Sequence, residues 1–92
     1  MSETQQPYDI VPDPKLEEEL EKLKKKARVI YERIIKQMLK ISKNPYLGKP
    51  LKFPMAGTRR LHVGPFVLTY EIDERERRVI FLEFEHHDDA YK

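Results

Sequence analysis

The run from Lys15 to Lys43 constrains this chain most, because Leu16, Leu20, Leu23, Ala27, Ile30, Ile34, Met38 and Ile41 recur in it at three- and four-residue steps. That spacing lays an apolar stripe along one side of a helix. As one helix the run would extend more than about 40 Å at about 1.5 Å per residue, beyond the roughly 30 Å breadth of a compact domain of this size. It is therefore expected to break near Lys24-Lys25-Lys26, between Leu23 and Ala27, and to fold back as a hairpin of two helices. Asp13 is placed to cap the first helix and Pro14 to open it, while Pro45 disfavours helical backbone at Asn44 and ends the second. Glu17, Glu18, Glu19 and Glu21 stand near the start and Lys36, Lys40 and Lys43 near the end, as the helix dipole favours.

Such a hairpin needs a second layer to cover its stripe. Residues 59–63 alternate, with Leu61 and Val63 on one face and Arg60 and His62 on the other, and Gly64-Pro65 turns the chain. Phe66, Leu68, Tyr70 and Ile72 then share a face, residues 73–77 form a charged turn, and residues 79–84 are apolar on both faces, as a central covered strand is. Tyr8-Asp9-Ile10-Val11 reads as a brief first strand. The expected fold is α+β, a two-helix hairpin packed on one face of a four-stranded, mainly antiparallel sheet in the order strand-helix-helix-strand-strand-strand. Its expected core is Leu16, Leu20, Leu23, Ile34, Met38, Leu68, Tyr70, Ile80, Leu82 and Phe84. Residues 46–57, rich in proline and glycine, read as a surface loop pinned by Leu51 and Phe53. Residues 1–6 are patternless and read as a disordered tail, which leaves 7–92 as a single domain.

Composition limits the chemistry. At 92 residues there is room for one modest core. The absence of cysteine excludes a disulfide framework, a thiol nucleophile and a thiolate metal site. A net charge of +2 with 37% charged residues permits a polyanionic partner without demanding one. No apolar run approaches the roughly 20 residues of a membrane span, so no membrane partner is expected and a cytoplasmic location is the default. The three histidines are His62, just before the hairpin turn, and His86 and His87, just after the last strand. An antiparallel meander would return both groups to one end of the sheet. Asp88 and Asp89 beside them do not make a metal site, since adjacent residues on an extended chain point to opposite sides. Lys49, Lys52, Arg59 and Arg60 add a basic patch.

Several stretches carry a resemblance: Tyr8-Asp9-Ile10-Val11 before an acidic leucine-spaced helix, then Asn44-Pro45-Tyr46-Leu47-Gly48-Lys49-Pro50-Leu51, Arg60-Leu61-His62-Val63-Gly64, and Tyr70-Glu71-Ile72-Asp73. Over nearly its whole length the chain resembles the RelE/ParE superfamily of toxins from type II toxin–antitoxin systems. The His62-Val63-Gly64-Pro65 turn and His87-Asp88-Asp89-Ala90-Tyr91 are most similar to its YafQ branch. The resemblance implies a ribosome-dependent mRNA endonuclease that inhibits translation, with a cognate RelB-like antitoxin, the ribosome and mRNA as partners, and with no cofactor, metal or small-molecule substrate. His62 and His87 match the branch's histidine positions, and Arg60 and Tyr91 match an arginine and a tyrosine of RelE.

Those residue types suit the reaction. RNA cleavage needs a base for the 2′-hydroxyl proton, an acid for the leaving 5′-oxygen and cations for the phosphate. Histidine, with an ordinary pKa of about 6.5, serves either proton-transfer role near neutrality. Arg60, on the face of His62, offers a planar fork for the phosphate. Tyr91 would stack on a base or act as acid, and Lys49, Lys52 and Arg59 would contact RNA. The chain departs from the family pattern at Val67, where RelE carries an arginine, at Phe66, where YafQ-like proteins carry an acidic residue, and at Lys49, where they carry a further histidine. Two alternatives follow: a non-enzymatic ParE-like toxin that binds gyrase, and a degenerate toxin that retains only antitoxin binding.

Overall fold

A computed structural model of the chain describes residues 6–86. Its elements run β1 (Asp9–Pro12), α1 (Pro14–Lys26), α2 (Arg28–Lys43), a 3-10 turn (Pro45–Leu47), β2 (Lys49–Pro50), β3 (Thr58–Val63), β4 (Phe66–Asp73) and β5 (Arg78–His86). The Asp13 carboxylate accepts the Lys15 N–H at 3.1 Å, with Pro14 in the first turn. The helical run breaks at Ala27, which lies at φ −144°, ψ 67°. This residue stays hydrogen-bonded on both sides: its N–H donates to Leu23 and its carbonyl accepts from Tyr31. The break therefore sits at the edge of the expected window, directly after three lysines that fill the last turn of α1, where the dipole favours cations. Asn44 ends α2 just before Pro45.

The sheet has five strands in the order β1-β5-β4-β3-β2, one more than expected. The additional strand is β2, where Lys49 pairs with Arg60 and Pro50 with Arg59. Proline is tolerated there because β2 lies on the sheet edge. β1 runs parallel to β5, and the other neighbours are antiparallel.

A buried hydroxyl holds β2 in place. Tyr70 donates to the Pro45 carbonyl at 2.7 Å and accepts the Gly48 N–H at 2.8 Å. Gly48 has ordinary extended backbone, and it is glycine because a Cβ there would stand 2.5 Å from the Tyr70 oxygen and 2.9 Å from the Arg60 carbonyl. Burial raises the Tyr70 pKa, offset in part by the Gly48 N–H and by Arg59. Tyr70→Phe strands both partners, and a loss of about 1–3 kcal/mol is expected. Urea titration of the two proteins measures it, and equal midpoints would remove the hydroxyl from the account.

The core between the helices and the sheet is Leu16, Leu20, Ile34, Met38, Ile41, Val63, Leu68, Tyr70, Val79 and Phe81. Leu23 and Phe84 are half-buried and pack against it. Ile80 and Leu82, expected inside, are half-buried and stand apart from this cluster. A β-bulge accounts for the exchange. Glu83 pairs with Thr69 and Phe81 with Tyr70, so Leu82 is the extra residue that shifts the alternation. Val79 and Phe81 before the bulge and Phe84 after it thus oppose Ile72, Tyr70 and Leu68, all on the helix side. Phe53 does not pin its loop, since it is 90% exposed. Backbone bonds from Met55 to Lys52 and from Thr58 to Met55 close the loop with that ring outside.

At the β4–β5 turn Arg78 donates to Asp73 at 2.7 Å, and the Glu76 N–H donates to the same carboxyl. The Arg78 bond, then the Glu76 bond, holds the Asp73 pKa below its usual value. A depressed folded pKa means that the stabilisation is fully present above the unfolded value of about 3.9 and is lost as pH falls toward the lower folded one. Asp73→Asn is accordingly expected to be less stable than the parent at neutral pH and to show a shallower loss as pH falls below the ordinary carboxylate value of about 3.9. Denaturation midpoints across that range check it; parallel curves would exclude the pair as the cause.

Candidate nucleic-acid interface

The register sets out the sheet face turned away from the helices as two rows. Lys49, Arg60, Thr69 and Glu83 form one, and His62, Val67 and Glu85 form the next. Val67 and Thr69, both buried, make the floor. Cations and a histidine thus stand on the β2–β3 side and glutamates on the β5 side. A phosphate backbone is drawn to the first and repelled from the second.

His62 is exposed and borders two grooves. One, of about 330 Å³, lies against α2 and is lined by Arg33, Lys36, Gln37 and Lys40 as well as the turn residues Val63 and Gly64. The other, of about 520 Å³, runs along β2 past Lys49 and Arg60 to Tyr46 and Leu47. The hairpin turn makes the first possible. Gly64 adopts φ +61°, a left-handed conformation that glycine adopts without a Cβ penalty, and a Cβ there would lie 3.2 Å from the Arg33 guanidinium. Arg33, Lys36 and Lys40 were absent from the site expected on sequence grounds. Their three- and four-residue spacing beside the apolar stripe placed them on one helix side, but nothing local tied that side to β3.

The other expected residues are placed as follows. Arg60 lies on the same face as His62, one strand step away, with Lys49 beside it. Arg59 is turned to the loop: it donates to the Gly48 carbonyl at 2.7 Å and to that of Tyr46 at 3.5 Å, and its guanidinium lies 4.8 Å from the centre of the Tyr46 ring. It acts as a clamp on the β2 segment. Lys52 is exposed in the loop before β3 and lines neither groove. His87 and Tyr91 lie outside the described residues. His86 pairs with Phe66 and meets that ring edge-on at 5.4 Å, while Phe66 stacks on Phe84 at 4.6 Å. The meander does return the end of β5 to the hairpin end of β3, with His86 on the helix side and His62 on the opposite face. Among the described residues no three His, Asp or Glu side chains gather as a metal site, and no helix is long and apolar enough to cross a membrane.

The sequence matches the ParE toxin family of type II toxin–antitoxin systems, parDE, over residues 10–91, and the chain belongs to that family within the RelE/ParE superfamily. It is 38% identical over 86 residues to a protein assigned as toxin RelE4 of Methanocaldococcus jannaschii, covering 92% of each chain. Among solved structures, a chain of the toxin–antitoxin complex RelBE2 from Mycobacterium tuberculosis is similar at a TM-score of 0.77 and 28% identity, over 88% of this chain and 99% of that one. A mutant of E. coli toxin RelE in the free state shares the fold at a TM-score of 0.73 and 15% identity, over 94% of this chain and 90% of that one.

Proposed function

We propose that this toxin is a ribosome-dependent mRNA endonuclease that acts in the cytoplasm and is held inactive by a RelB-like antitoxin. The observation that carries the reading is His62, exposed where two cation-lined grooves meet, with Arg60 on its own face. In the reaction a base takes the 2′-hydroxyl proton, the 2′-oxygen attacks phosphorus, the bond to the 5′-oxygen breaks, and an acid protonates that oxygen. The products are a 2′,3′-cyclic phosphate and a 5′-hydroxyl. His62 and His87 share the two proton transfers, Arg60 holds the phosphate, and Tyr91 stacks on a neighbouring base or serves as acid. Lys49 and Lys52, joined by Arg33, Lys36 and Lys40, attract the backbone, and Arg59 contributes by holding the loop that presents Lys49. With Val67 in place of a cation, the charge on the phosphate falls to Arg60 and the α2 cations. The ribosome supplies the orientation that so small a surface lacks. The structural relative in a RelBE2 complex supports an antitoxin partner.

The match to the ParE family favours a second reading, a toxin that binds gyrase and cuts nothing. Incubating the protein with programmed ribosomes and mapping mRNA ends by primer extension tests the first. Discrete cuts that appear only when ribosomes are present support it. Intact mRNA together with inhibited gyrase supercoiling would move the assignment to the second.

A further inference from the structure

The groove that leads away from His62 ends on an aromatic ring built to be presented. Tyr46 is 54% exposed and its neighbour Leu47 47% exposed, so the 3-10 turn turns two large apolar side chains outward. The turn is fixed at each point. Asn44 caps it by accepting the Tyr46 N–H at 3.3 Å, and Tyr70 accepts from Gly48 and donates to Pro45 beneath it. Arg59 both bonds the local carbonyls and lies over the Tyr46 ring. A ring with a guanidinium behind it and a rigid backbone below loses little freedom when something stacks on it. The same groove carries Lys49, Arg60 and His62. Cations along a channel with an aromatic at its end are the two components of single-strand recognition, a track for phosphates and a surface for bases. The volume of about 520 Å³ accommodates a nucleotide.

We infer that Tyr46, braced by Arg59, is a stacking platform for a nucleobase of the RNA strand whose phosphate passes His62. This subsite rests on the RNA reading above and extends it to a base contact. Stacking uses the ring face and not the hydroxyl, so the inference separates alanine from phenylalanine.

The test uses the full-length protein and a short single-stranded RNA in which 2-aminopurine replaces one base at a time, since stacking quenches its fluorescence. The wild type is expected to quench one position, with Tyr46→Phe matching it. Tyr46→Ala is expected to abolish that quenching and to bind about 5- to 100-fold more weakly, with an unchanged thermal unfolding curve. Leu47→Ala, beside the ring but without a π-face, is expected to keep the quenching. Absence of quenching in the wild type, equal quenching and affinity in Tyr46→Ala, or a Tyr46→Phe protein as weak as Tyr46→Ala would each overturn the platform. Because the readout is binding, it separates the two claims. Quenching that depends on Tyr46 in a protein that cuts nothing on ribosomes upholds the platform and refutes the nuclease, whereas cleavage with no dependence on Tyr46 does the reverse.

Discussion

Replacing His62 by alanine is expected to lower mRNA cleavage on programmed ribosomes by about 10²–10⁴-fold, the usual worth of a positioned proton-transfer group. His87→Ala is expected to cost a similar factor. The fold should survive the first change, because His62 is exposed and outside the core, so its unfolding midpoint should match the parent's. Arg60→Lys provides the companion measurement: it keeps the charge but loses the planar fork, and an intermediate loss is expected. Full activity in both histidine variants would remove the imidazole mechanism and leave Arg60, Lys49 and Tyr91 as the candidates.

The second large effect concerns stability. Phe81 is fully buried, opposes Tyr70 across the sheet and lies 5.6 Å from it between ring centres. Phe81→Ala leaves a cavity under both helices and is expected to cost about 3–5 kcal/mol. Leu82→Ala removes a half-buried side chain at the bulge and should cost less than half as much. The pair of denaturant titrations reads the bulge directly: with regular alternation through β5 carrying Leu82 inward, the order of the two losses would reverse.

These two expectations fall on either side of the line between local sequence and long-range packing. The helices, their caps, the division of the run and the Gly64-Pro65 hairpin were legible because each depends on residues within a few positions: Asp13 and Pro14, the length of the stripe before Pro45, the period of two around Leu61 and Leu68. Arg60 and His62 sharing a face follows from the same period, and the resemblance of the residues to RelE/ParE toxins pointed to the family.

The inner face of β5 was not legible, because residues 79–82 are all apolar and carry no alternation to read. Only pairing with β4 decides that Leu82 is the extra residue and that Phe81 turns inward. β2 was likewise hidden, since two residues ending in proline have no strand signal, and what makes them a strand is pairing with Arg59 and Arg60 of β3, with the hydroxyl of Tyr70, distant in sequence, holding Gly48 beside them. Lys36 and Lys40 read locally as cations suited to the helix dipole, and Arg33 carried no signal of its own. They border His62 because α2 packs beside the β3–β4 turn, where the Arg33 guanidinium lies close to Gly64. Short-range patterns therefore determined which elements form and which residues face together within each. Which strand lies beside which, where the register slips, and which cations gather around the histidine are long-range matters, decided only when the helix hairpin packs on the sheet.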